Sequence, residues 1–142
     1  MLILYIKGSE LVDLHYSPLF PSSPVAPFKI IPASFVSPET GTGIVHCAPA
    51  HGAEDYTVLH SLHLFDTHPL LCHVDSEGRY SKDVCDVIGM ERGQRLVGLP
   101  VLTQGTSVVI EQLKEMGVLL NETSIKHRYP YDWKTDKPVI VT

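Results

Sequence analysis

Apolar positions along this chain come in short bursts separated by proline, glycine and acidic turns, a pattern of many brief strands and two helices. Residues 2–6 form an apolar run rich in aromatic and branched side chains that ends at Lys7-Gly8, predicting a strand entering a turn. Residues 11–16 predict a second short strand. The proline-dense residues 18–27 lack backbone donors at regular intervals and are assigned to loop or sheet edge. Residues 28–31 and 33–36 predict strands, residues 37–41 carry turn chemistry, and residues 43–47 predict a further strand closed by Pro49. Across residues 52–64 the period changes: Tyr56, Leu59 and His63, with Val58 and Leu62, recur at helical spacing, and Glu54 and Asp55 sit where the helix dipole favours negative charge. Residues 70–80 predict a hairpin with Gly78 in its turn. Residues 81–98 are mixed. After Thr106 comes the clearest helix, with Val108, Val109, Leu113 and Met116 as its apolar stripe and Gly117 placed to end it. An extended aromatic stretch, residues 127–133, and a last strand at residues 138–141 complete the pattern. The sum is an α+β fold whose β core is curved or barrel-like and mostly antiparallel, with peripheral helices.

Composition narrows this without changing it. The 142 residues suit one domain, and with 44% hydrophobic and 19% charged residues the chain is expected to fold. Eleven Lys and Arg against sixteen Asp and Glu leave a net charge of −5. That balance argues against a dedicated DNA- or RNA-binding module with a basic face, yet leaves room for a domain that meets only the end of an RNA. The three cysteines, Cys47, Cys72 and Cys85, form no CxxC pair, as expected in a reducing compartment. No apolar run approaches the roughly 20 residues that span a bilayer, and no signal or transit peptide is recognisable, so no membrane partner is expected.

The densest chemistry lies between His46 and Asp55. A strand end, a proline-interrupted loop and a helix start make a natural pocket wall, because they present side chains and backbone N–H groups together. A carboxylate there can hold a substrate ammonium, and an imidazole can act as acid, base or shape element. The same residues also suit a histidine hydrogen-bonded in the core and an aspartate serving the first turn of a helix.

Residues 41–56, GTGIVHCAPAHGAEDY, resemble the editing-domain signature of isoleucyl-tRNA synthetases nearly position by position. The related valyl and leucyl enzymes share the Gly-Thr-Gly opening and the later Asp but usually lack a His at position 46. Residues 127–140, HRYPYDWKTDKPVI, resemble the strand by which the editing insertion returns to the synthetic core, and the YPYDW form is most similar to the mitochondrial branch. Residues 8–12 and 74–78 also fall where that family has similar segments, so the resemblance covers essentially the whole chain. It implies one partial editing domain over residues 1–142, with residues 126–142 as the returning strand. It implies that Asp55 holds the α-ammonium of a misattached amino acid and that His46 sits beside its side chain, these two being the catalytic candidates. Gly41, Thr42 and Gly43 join His46 and Asp55 as substrate-binding candidates. The implied reaction is hydrolysis of the ester in valyl-tRNA for isoleucine by a positioned water, with no metal. One methylene in a pocket discriminates by only ~1–3 kcal/mol, a limit that isoleucine against valine itself illustrates, so a second sieve is needed.

The implied partners are the 3′ end of charged isoleucine tRNA and the remainder of a synthetase. The implied compartment is the mitochondrial matrix, otherwise the cytoplasm. The chain lacks the family's threonine-rich strand, which forms the opposite wall of the editing pocket, and lacks the HIGH-type and KMSKS-type motifs that bind ATP. It is therefore read as a piece of an editing domain, weak or inactive in isolation, with no cofactor of its own; ATP and magnesium belong to the parent synthetase. Three other readings compete. His46, Cys47, His51, His60, His63, Cys72, His73 and Cys85 are potential zinc ligands, but their spacing matches no standard site. Cys47 beside His46 fits a cysteine hydrolase only on paper, since strand neighbours face apart. Tyr129, Tyr131 and Trp133 fit either a contact surface of a non-catalytic fragment or, as the simpler packing, aromatic cover over a sheet.

Overall fold

The computed structural model describes residues 5–20, 28–37, 39, 42–124 and 128–141. They form an α+β chain with five α-helices and one two-stranded antiparallel sheet. The chain divides into two compact units, Met1–Leu70 and Leu71–Thr142.

In the first unit, α1 (Gly8–Leu11) is a single turn where the sequence pattern predicts a bend into a strand. Strands β1 (His15–Tyr16) and β2 (Phe28–Lys29) pair His15 with Lys29 and Tyr16 with Phe28. The Tyr16 and Phe28 rings stack at 5.9 Å, and Phe28 also meets the His68 ring at 5.4 Å. Asp13, in the left-handed region at φ 65°, bonds the Lys29 ammonium at 3.1 Å across the pair. Most of residues 2–6 and of the proline-dense stretch lie outside the described residues. The strand expected at 33–36 is instead a turn, closed by a bond from Val36 N–H to Ala33 carbonyl at 3.3 Å. Residues 43–47, also expected as a strand, join no ladder among the described residues: hydrophobic character favours a strand only where a neighbour supplies hydrogen bonds. Helix α2 (Ala53–Ser61) follows, with Leu59 facing inward and Tyr56 packing on Phe65 at 5.1 Å. It ends before the expected boundary, because His63 adopts a left-handed conformation at φ 53° before a short 3-10 turn at Leu64–Asp66.

The second unit opens with the predicted hairpin. Val74 bridges Tyr80, Gly78 takes φ 74°, and the Asp75 carboxylate accepts the N–H groups of Glu77 and Arg79, both at 2.9 Å. That is the local bonding by which aspartate drives turns. Helices α3 (Val84–Ile88) and α4 (Met90–Gln94) meet backbone to backbone at Gly93, where an added β-carbon would lie 2.5 Å from Cys85 Cα. Val84 and Leu96 are buried beside them. A π-helical turn at Val101–Gly105 leads into α5 (Thr106–Glu115). The apolar stripe of α5 is half-buried, and its most buried side chain is the polar Gln112. Its end is a Schellman motif: Gly117, at φ 68°, donates to Lys114 carbonyl and Val118 to Leu113 carbonyl. The last described segment is a small hairpin bridged between Tyr131 and Pro138. Its aromatic residues do not cover a sheet: Trp133 is 85% exposed and Tyr131 58%.

Candidate functional site

The His46 to Asp55 stretch folds as one clipped loop leading into α2. The carbonyl of Ala48 accepts two N–H groups, from His51 at 2.9 Å and Gly52 at 3.0 Å. The N–H of Ala48 donates to Oδ2 of Asp55 at 2.9 Å. Both polar groups of one residue are thus engaged, and residues 48–55 are closed at both ends. Asp55 occupies the third position of α2, but its carboxylate serves the loop rather than capping its own helix. This replaces the simple first-turn role that the sequence also allowed. The first helical bond is made by Tyr56 N–H to Gly52 carbonyl at 2.9 Å.

His46 is exposed, and Ile44 and Val45 before it are 67% and 56% exposed. His46 lies two residues from the amide that holds Asp55, a separation of about 6–7 Å along an extended chain. The fold therefore brings these two candidates to the same loop. Thr42 and Gly43 form a tight turn just before it: the Thr42 hydroxyl accepts the Ile44 N–H at 3.2 Å and donates to Ile44 carbonyl at 3.0 Å, while Gly43 takes φ 72°. The Thr42 hydroxyl is committed to this turn, and Gly43 supplies the left-handed residue it requires. Gly41 lies outside the described residues.

Burial, together with the nearby Asp55 carboxylate, pushes the Cys47 thiol up to about 11. A thiol so high is almost wholly protonated at neutral pH, which opposes the nucleophilic role considered for Cys47. Among the described residues no three His, Cys, Asp or Glu side chains gather in a way that could hold a metal, and His63 stands outside the helix that carries His60. No helix among the described residues is long and apolar enough to cross a membrane.

One residue of the loop escaped the sequence reading. A β-carbon on Gly52 would fall 2.9 Å from Asp55 Oδ2, so the glycine makes room for the carboxylate. Only its place just before the helix hinted at importance, since the contact is three-dimensional.

No protein-family model matches the chain. The chain is similar to several curated proteins. It is 42% identical over 135 residues to an isoleucine–tRNA ligase of Synechococcus sp., a match covering 94% of this chain and 12% of that protein. It is 43% identical over 123 residues to the mitochondrial isoleucine–tRNA ligase of Macaca fascicularis, covering 84% of this chain and 11% of that one. A further isoleucine–tRNA ligase, from Prochlorococcus marinus, is 36% identical over 138 residues, 97% of this chain and 13% of the relative. The chain thus spans about an eighth or less of the length of the curated relatives it matches.

Proposed function

Because this chain belongs to the isoleucine–tRNA ligase family, matching one segment of its members, we propose that it is part of the editing module, which hydrolyses valine wrongly esterified to isoleucine tRNA. The observation that carries this reading is the loop of residues 46–55, where Asp55 is held at a helix start by the amide of Ala48, two residues after His46. Asp55 is proposed to anchor the substrate ammonium. Among the described residues a hydrogen bond engages its Oδ2 and none engages Oδ1, which leaves an acceptor for a cation. His46 is proposed to stand beside the amino-acid side chain and exclude the larger isoleucine. Gly41, Thr42 and Gly43 are proposed to shape the wall that the terminal ribose meets. Anchoring the ammonium orients the ester toward a water, and polar groups around the carbonyl stabilise the developing oxyanion. No metal takes part in this scheme.

The remaining proposals follow from the family. Residues 1–142 act as one editing domain with a curved or barrel-like β core completed by other parts of a synthetase, and residues 126–142 return toward the synthetic core. The partners are the 3′ end of charged isoleucine tRNA and the rest of the synthetase, whose own reaction uses ATP and magnesium. A mitochondrial matrix location is supported by the mitochondrial relative and by the YPYDW form of residues 129–133.

The test is a chimera in which residues 5–141 replace the matching segment of the Synechococcus sp. ligase, assayed for hydrolysis of valyl- and isoleucyl-tRNA. The expected result is valyl-tRNA hydrolysis that falls on the order of 10²-fold with Asp55→Ala, the loss typical of a mispositioned substrate. His46→Ala is expected to admit isoleucyl-tRNA. A chimera that hydrolyses neither ester, or one indifferent to Asp55→Ala, overturns the reading. The isolated chain is expected to hydrolyse far more slowly than the chimera.

A second reading, a non-catalytic contact fragment, is favoured by the open face of the last hairpin, where Trp133 and Tyr131 are exposed and the Lys134 ammonium lies 5.2 Å from the Trp133 ring. Binding of tRNA by the chimera without any hydrolysis would support it.

A further inference from the structure

We infer that Gly52 and the Ala48 N–H are positioning elements for Asp55: the missing β-carbon at position 52 and the amide at position 48 together fix the direction of the carboxylate. One oxygen is committed to the loop, and the other is presented to a ligand cation. The consequence for substrate rests on the proposed role of Asp55 as ammonium anchor; the clamp itself rests on geometry alone.

Glycine is commonly present for its backbone. Gly89 and Gly98 fit that rule, with φ of 85° and 78° and open space where a β-carbon would sit. Gly52 is the opposite case. Its φ of −131° and ψ of 118° are ordinary extended values that any residue adopts. What it lacks is space, since a β-carbon would lie 2.9 Å from Oδ2, 3.2 Å from Cγ and 3.5 Å from Cβ of Asp55. The side chain it would strike is short and is pinned at that same oxygen by the Ala48 N–H at 2.9 Å. Asp55 therefore has to turn away from Ala48 to admit any side chain at 52. The loop on which Gly52 stands is fixed by its own N–H to Ala48 carbonyl bond at 3.0 Å, so the backbone has little freedom to retreat instead.

Cys47 supplies a reporter that does not depend on catalysis, because the Asp55 charge is one of the two influences holding its thiol up, after burial. In the full 142-residue chain, alkylation of Cys47 is followed against pH by peptide-resolved mass spectrometry in the parent and in Gly52→Ala and Asp55→Asn. Both variants are expected to lower the thiol pKa. Thermal melts are measured for Gly52→Ala, Asp55→Ala and the double variant. Gly52→Ala is expected to lower Tm when Asp55 is present and to change it little when position 55 is alanine. If Gly52→Ala does not fold alone, a folded Gly52→Ala/Asp55→Ala chain supports the clamp, and an unfolded one overturns it.

The clamp also falls if Cys47 titrates in Gly52→Ala as in the parent, if Asp55→Asn leaves Cys47 unmoved, or if Gly52→Ala lowers Tm equally in both backgrounds. In the chimera, Gly52→Ala is expected to lower kcat/KM for valyl-tRNA at least tenfold. Should the Cys47 and Tm results hold while valyl-tRNA hydrolysis is indifferent to both Gly52 and Asp55, the clamp stands and the editing reading fails.

Discussion

Gln112 Nε2 donates to the backbone carbonyl of Arg92 at 3.2 Å from a side chain that is only 1% exposed, tying α5 to α4 through an amide where a hydrophobic residue would be the usual choice. Its Oε1 is buried and, among the described residues, has no hydrogen-bond partner. Gln112→Ala removes both the bond and the volume and is expected to destabilise the chain by ~2–4 kcal/mol. Gln112→Met keeps the volume and removes the orphaned oxygen, and is expected to stay within ~1.5 kcal/mol of the parent. Urea unfolding of the two variants checks the order; equal losses would show that the amide bond to Arg92, not the volume, governs the site.

Gly93 lets α3 and α4 approach until backbone meets backbone, an added β-carbon lying 2.5 Å from Cys85 Cα and 2.9 Å from Cys85 N. Backbone cannot swing aside as a side-chain tip can. Gly93→Ala is therefore expected to destabilise by ~1–3 kcal/mol or more, despite the better helix propensity of alanine. Gly78→Ala makes a useful contrast. There the neighbour is the flexible end of Ile140 and the strain comes from φ 74°, so a loss of ~1–2 kcal/mol is expected. Thermal unfolding by circular dichroism ranks the two.

The raised Cys47 thiol gives stability a pH dependence of known sign. Below the ordinary value of 9.0 the thiol is protonated in folded and unfolded chains alike, and the contribution is fully present. Between that value and about 11 the unfolded chain has released the proton while the folded chain retains it, so stability falls as pH rises. The Tyr80 hydroxyl, also raised by burial, adds a slope of the same sign at high pH. The share of Cys47 is the difference between the parent and Cys47→Ser. Parallel curves for the two across pH 9 to 11 would contradict the burial of this thiol.

Arg95 bridges Glu115 at 2.6 Å and Glu111 at 3.0 Å on the exposed side of α5. The bond from Arg95 holds the Glu115 carboxyl below its ordinary value of 4.5. Stability from this pair is present above that value and lost as pH falls through the lowered one. Glu115→Gln is expected to destabilise only slightly, with the difference disappearing in 1 M salt, where the Debye length is about 3 Å. A difference that survives high salt would mark the network as structural rather than electrostatic.

What the sequence made legible was local. Helix α5 and its glycine stop, the Asp75–Gly78 turn and the body of α2 are each specified by residues a few positions apart. The strand pattern at 33–36 and 43–47 was read from side chains alone, and a strand exists only where a partner backbone answers it. The Ala48–Asp55 bond and the space at Gly52 depend on how the loop closes, which no periodicity records. The motif pointed to the loop of residues 46–55; its hydrogen bonds came from the distances.

The single tryptophan of this chain is Trp133, on the small hairpin bridged by Tyr131 and Pro138 and open to water over 85% of its surface. As an optical probe it is therefore nearly blind to loss of the packing around Leu59, Val84 and Leu96, since its surroundings are aqueous before and after. Its emission will be red and readily quenched by iodide. A blue shift will signal not folding but the arrival of another surface against this hairpin, whether RNA or protein.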